Sequence, residues 1–150
     1  MGHTFSRILL HVIFSTKGRR NSLYRDMRAD LLGYMQGIAR NEGVHVLKAN
    51  AIEDHVHMLL ATKPIHAPAD VVRTIKTNSS SWIHKTYPDL RDFEWQSGFG
   101  VFSVSESASG DVSAYIESQE RHHRRIPFAE EFRLFLEKHG VEYDPNHYLD

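Results

Sequence analysis

"DHVHMLLA", residues 54–61, constrains the fold more than any other stretch, because it sorts its side chains onto two unlike faces. Successive side chains of a strand point to opposite faces. Val56, Met58 and Leu60 therefore form one apolar row, and His55 and His57 stand side by side on the other. Such a strand needs a core on one side only, so it belongs in an antiparallel sheet whose helices cover one face and leave the histidine face open.

The flanking patterns supply those helices. "SRILLHVIFST" (6–16) is rich in branched and aromatic residues and predicts a strand. Met27, Leu31, Tyr34, Met35 and Ile38 recur at helical spacing over 24–42, and Gly43 marks the stop. "VHVLKA" (44–49) is a second strand, joined to the histidine strand by a short polar turn. Pro68 opens a helix with Val71, Val72, Ile75, Trp82 and Ile83 on one face, and "GVFSVS" (100–105) is a fourth strand. A helix then runs from about Asp111 to Arg124, and Pro127 starts another that reaches about His139. The order β-α-β-β-α-β is the split βαβ of an α+β, ferredoxin-like (RRM-like) fold, a four-stranded antiparallel sheet with its first and third strands central. Residues 1–150 are expected to form one domain: a core at about 6–105, a helix at about 111–124, and a C-terminal helix and tail at about 127–150.

Composition narrows the chemistry. The chain has no cysteine, which excludes disulfides, thiolate metal sites and thiol nucleophiles and suits a reducing cytoplasm. No run approaches the ~18 apolar residues of a membrane span, and "MGHTFSRILLHVIF" lacks a signal peptide's cleavage region, so a cytoplasmic protein is expected. Gly2 with Ser6 weakly matches a myristoylation pattern, but the residues that follow read as a buried strand. The net charge of −1 gives no support to a generic nucleic-acid binder. "KGRR" (17–20) and "RHHRR" (121–125) are nevertheless local basic clusters.

Two imidazoles on one strand face make a ready bidentate metal site, although the spacing alone is common. "DVSAYIESQERHH" (111–123) adds chemistry to it. There Val112, Tyr115, Ile116 and Gln119 share a helix face, with Tyr115 and Gln119 one turn apart. A glutamine on an apolar stripe ordinarily marks its rim. If this helix packs over the histidines, the amide oxygen completes a His55, His57, Gln119 set around a cation, with the Tyr115 phenol beside it. No thiolate or carboxylate is evident to fix zinc, whereas an amide oxygen and a substrate phosphate suit Mg²⁺ or Mn²⁺. Such an ion stabilises the charge of an in-line displacement at phosphorus. A phenol of pKa about 10 needs help to act as a nucleophile, which the cation and the adjacent "RHHRR" would give by favouring phenolate. A phosphotyrosine conserves the energy of the broken phosphodiester, so strands are rejoined without a nucleotide cofactor.

"DHVHMLL", "FEWQSGFGVFSVSES" and "YIESQERHH", in this order, resemble the single-tyrosine HUH transposases of small bacterial insertion sequences, and closely the REP-associated branch. The opening "HVIFSTKGRR" and closing "FLEKHGVEYDPNHYLD" look like the family's ends too. The resemblance implies that His55, His57 and Gln119 bind the metal. It also implies that Tyr115 cuts single-stranded DNA, holding the 5′ phosphate and freeing a 3′ hydroxyl. It further implies homodimers joined at their sheet edges, a tyrosine helix able to serve the partner's histidines, and recognition of imperfect DNA hairpins near the element's ends. Glu53 stands where many relatives have proline, a turn variation. Gly110, just before the tyrosine helix, and a fourth strand at a sheet edge accommodate a swinging helix and edge pairing, and each also has an ordinary explanation.

Candidate DNA contacts are Lys17, Arg19 and Arg20 after the first strand, Arg73, Lys76 and Lys85 on or after the second inner helix, and Arg121, Arg124 and Arg125 after the tyrosine. Trp95, Phe99 and Phe102 would either stack on bases or fill the core. His122 and His123 would either assist the phosphate or end the helix. The register of the first strand decides whether His11 shares the histidine face, and the sequence leaves that open. Two other readings remain. A non-catalytic module that binds single-stranded or hairpin nucleic acid has no need of the Tyr, His and Gln set. A replication-type HUH nickase would bring a helicase or partner domain.

Overall fold

A computed structural model describes residues 2–123 and 125–150, the side chains of His122 and His123 excepted. Strands β1 (Ile8–Ser15), β2 (His45–Ala51), β3 (His55–Thr62) and β4 (Gly100–Val104) form one antiparallel sheet in the order β2-β3-β1-β4. The first and third strands are central, as the split βαβ pattern requires.

Helices α1 (Arg28–Asn41) and α2 (Pro68–Thr86) cover one face. In α1 the buried residues are Leu31, Met35, Ile38 and Ala39, a stripe one turn apart. Gly43, at φ 78°, takes the left-handed conformation that lets the chain leave the helix and enter β2. Val12 and Phe14 of β1 and Val56, Met58 and Leu60 of β3 meet these helices in the main core. Tyr34 stays partly exposed and stacks on Trp82 across the helix pair, ring centroids 5.1 Å apart.

The opposite face is covered as well, which corrects the expectation of an open face. Leu9, His11 and Ile13 of β1 and His55, His57 and Leu59 of β3 project there. Helix α3 (Ser109–Glu117) lays Val112 and Ile116 on Leu9, Leu47 and Leu59. Helix α5 (Phe128–Lys138) lays Phe128, Phe132 and Leu136 on Ile13 and Phe102. The apolar side chains at 128, 132 and 136 recur at i, i+4, i+8, so α5 cannot remain solvated on that stripe. Gly100 makes room for it: a Cβ there would lie 3.0 Å from both the Phe102 and the Phe132 rings.

The predicted helix from Asp111 to Arg124 is broken. It starts earlier, at Ser109, and ends at Glu117, and Gln119–His123 form a separate short turn, α4. Ser118, at φ −92° and ψ 20°, is the break. Asn50 Nδ2 of β2 donates to the carbonyls of Ile116 (2.9 Å) and Glu117 (3.2 Å), and Ser118 Oγ donates to that of Tyr115 (3.1 Å). Those are the carbonyls a continuous helix would have used, so side-chain bonds outcompete the helix there.

Candidate active site

Adjacent strands aim His55, His57 and His11 at one point, and two helices close over them. His55 and His57 are fully buried and His11 is 2% exposed. The register settles what the sequence left open: His11 pairs with Leu59, two residues from His57, and so shares the histidine face. His55 Nδ1 donates to Asp54 Oδ1 at 2.7 Å, which turns Nε2 toward Gln119 Oε1 at 3.3 Å. His57 bonds at both ends, Nδ1 to His11 Nε2 at 2.8 Å and Nε2 to Glu131 Oε1 at 3.0 Å. That same Oε1 lies 3.5 Å from His55 Nε2. The Tyr115 hydroxyl donates to the other carboxylate oxygen, Oε2.

Glu131 is the residue the sequence reading missed, and it overturns the statement that no carboxylate serves this site. It is 1% exposed. A buried carboxylate survives only when it is hydrogen-bonded and paired, and here two imidazoles and a phenol surround it. In the sequence, "EE" at 130–131 is an acidic pair, either member of which could face water or the core. The signal that distinguishes the two is periodicity: Glu131 falls three residues after Phe128 and beside Phe132, on the buried stripe of α5, whereas Glu130 does not.

Charge follows from these contacts. Burial opposes a charged His55, but hydrogen bonds to Asp54 and Glu131 outweigh it and hold the pKa above its ordinary value. Burial, aided by His57, pushes His11 down to about 3, so that ring is neutral. Burial and then the Glu131 charge push the Tyr115 phenol well up. Phenolate is thus disfavoured in this state, contrary to the expectation from "RHHRR": the group touching the hydroxyl is a carboxylate, while Arg121 and Arg125 are exposed.

Among the described residues, His55, His57 and Glu131 have ligand atoms all within 4.8 Å of one another and could hold a metal ion. Gln119, 1% exposed, adds an amide oxygen. Two imidazole nitrogens and two oxygens, buried and converging, fit a divalent cation. A cleft of about 530 Å³ leads to Tyr115 and Glu131 past His11, Val112, Ile126 and Phe135.

The expected DNA contacts scatter. Lys17 pairs with Glu94 (2.9 Å), Arg20 with Asp92 (3.5 Å) and Arg73 with Asp70 (2.7 Å), all exposed pairs that exchange easily. Lys76 instead directs its ammonium at the carbonyls of Gln96, Ser97 and Gly98, and burial pushes its pKa down to about 8. Arg19 sits at φ 56° in the turn after β1, Lys85 is exposed, and Arg121 lines a groove with Arg25, Arg28 and Asn50. Arg124 and the side chains of His122 and His123 lie outside the described residues. Trp95 and Phe102 are core residues, the Trp95 indole donating to Ser79 Oγ at 3.0 Å, and Phe99 alone of the three aromatics is exposed.

By its similarity to known proteins the chain falls in the transposase class of DNA-processing enzymes. The chain belongs to the IS200-like transposases: residues 4–119 match the family described as "Transposase IS200 like". It is 30% identical to the ISDra2 transposase TnpA of Deinococcus radiodurans over 114 residues, 73% of this chain and 81% of that one. It is 26% identical over 125 residues to the transposase of insertion sequence element IS200 from Salmonella typhimurium, covering 79% of this chain and 81% of the relative. A crystal structure of a Deinococcus radiodurans R1 protein assigned as a transposase superposes with TM-score 0.66 at 26% identity, over 79% of this chain and 96% of that one. The REP-associated tyrosine transposase bound to a REP hairpin shares the fold, with TM-score 0.62 at 14% identity over 84% and 74% of the two chains. The family match ends at Gln119, so α5 and Glu131 lie beyond it. No helix of the described residues is long and apolar enough to cross a membrane.

Proposed function

We propose that this chain cuts and rejoins single-stranded DNA through a 5′-phosphotyrosine on Tyr115, at a cation site formed by His55, His57, Gln119 and Glu131. The observation that carries the reading is the meeting of the phenol, both imidazoles, the amide and the carboxylate in one buried pocket. The Tyr115 oxygen attacks phosphorus, the bond from phosphorus to the 3′ oxygen breaks, and a 3′ hydroxyl leaves. Glu131 Oε2, already accepting from the phenol, takes its proton and returns one to the departing oxygen. Attack of a 3′ hydroxyl on the phosphotyrosine reverses the step and restores the phenol, so bond energy is retained throughout. A bound Mg²⁺ or Mn²⁺ supplies positive charge that polarises the phosphate and lowers the phenol's pKa. The carboxylate also completes a set of two imidazoles and one carboxylate that zinc accepts, so the metal trials include Zn²⁺.

The DNA is expected to be a hairpin near an element's end, in line with the hairpin-bound fold neighbour. The test uses hairpin DNA labelled at its 3′ end, with Mg²⁺, Mn²⁺ or Zn²⁺ supplied singly. A covalent protein–DNA adduct on a denaturing gel is expected from the wild type, and DNA binding without adduct from Tyr115→Phe. An adduct of normal yield from Tyr115→Phe removes the tyrosine from the role. Binding without any adduct from the wild type, in every metal, would leave the non-catalytic module.

A further inference from the structure

We propose that His11 is a positioning residue for the metal ligand His57, its Nε2 accepting the His57 Nδ1 proton whenever His57 Nε2 faces a cation. The proposal rests on the cation site argued above. Its geometry is direct: His11 Nε2 and His57 Nδ1 are 2.8 Å apart, both rings are buried, and their centroids are 5.0 Å apart at 35°. The β1–β3 register creates the contact, because the partner of His11 is Leu59 and His57 is its diagonal neighbour. Phe135 of α5 packs edge-on against the His11 ring, at 5.1 Å and 84°, one turn from Glu131 on the same helix.

The proton order then follows from the partners. Glu131 Oε1 can only accept, so in this structure His57 carries its proton on Nε2. For Nε2 of His57 to offer a lone pair to a cation, the one proton of the ring must sit on Nδ1, where His11 Nε2 lies 2.8 Å away. His11 Nε2 must then accept it, which leaves the proton of the neutral His11 ring on its Nδ1. His55 differs: its Nδ1 faces the Asp54 carboxylate, which only accepts, so a proton stays on Nδ1 when Nε2 turns to a cation. Of the two ligands, one is backed by a carboxylate and the other by a ring nitrogen that can either give or take a proton.

The experiment measures Mn²⁺ binding by electron paramagnetic resonance, with Tm and circular dichroism as the check on folding. His11→Met, which fills the space without an acceptor, is expected to weaken binding roughly 10–100-fold, the range for losing the partner of a metal-bound histidine. His11→Gln, whose amide oxygen takes the place of Nε2, is expected to retain most of the affinity. If a folded His11→Met binds Mn²⁺ as the wild type does, the proposal is overturned. If the variants do not fold, ¹⁵N-histidine spectra of the wild type decide. With Mg²⁺ or Zn²⁺ bound, both His57 and His11 should carry their proton on Nδ1, and a His11 protonated on Nε2 in the metal-bound protein rejects the role. A wild type that binds none of these metals overturns the cation site and this inference together.

Discussion

Glu131 is the residue on which the candidate chemistry turns, because one carboxylate serves both halves of it. Oε1 lies between the imidazoles, and Oε2 holds the phenol proton. A general base that accepts the nucleophile's proton contributes typically 10²–10⁴-fold. Glu131→Gln keeps the shape and loses the basicity, so adduct formation in a single-turnover assay is expected to slow by about 100-fold or more. Faster cutting by Glu131→Gln would make the carboxylate a block rather than a base. His57→Ala removes a ligand without opening the main core, since the ring faces away from Val56, Met58 and Leu60. It is expected to abolish cleavage at any Mn²⁺ concentration the wild type tolerates, and undiminished cutting in chelexed buffer refutes the assignment.

At the scale of elements, the site depends on two helices held by different means. Helix α3 is clamped at its end by Asn50, which ties the Tyr115 turn to β2. Helix α5 is held by packing, through Phe128 and Phe132 on Ile13 and Phe102. Gly100 is the weak point of that second attachment, with two aromatic rings 3.0 Å from where a Cβ would be. Gly100→Ala forces both rings to shift, an overpacking cost of about 1–3 kcal/mol. At roughly 2–4 °C per kcal/mol for a domain of this size, the melting temperature should fall visibly. Cleavage should fall with it, because Glu131 rides on α5. A variant that melts earlier but cuts at the wild-type rate would show that the position of α5 is irrelevant to the reaction.

For the whole molecule, the decisive fact is that Tyr115 and His57 of one chain already meet, ring centroids 5.9 Å apart. If the proposed site is complete as this chain places it, it needs no helix from a partner. Mixing the inactive Tyr115→Phe and His57→Ala proteins, after proven subunit exchange, is therefore expected to leave activity absent. Recovery would mean that α3 crosses between subunits. The edges of β2 and β4 remain as surfaces along which an edge-to-edge homodimer, proposed from the family resemblance, would form.

Much of this was legible in the sequence, because its strands and helices are written in local periodicity. Alternation on 55–61 and helical stripes on α1 and α2 determined the sheet, its central strand and the row of residues that enters the core. The pair His55 and His57, and Gln119 one turn from Tyr115, were visible for the same reason: each pair is close in the chain. Sequence alone could not decide what lies across the sheet. Glu131 reaches the histidines over a separation of more than seventy residues, and His11 depends on a strand register that a one-residue slip would reverse. The break at Ser118 likewise comes from Asn50, a side chain on another element. Neighbours along a helix or strand are fixed by backbone geometry, whereas partners across the fold exist only once the hydrophobic faces have chosen which surfaces to bury.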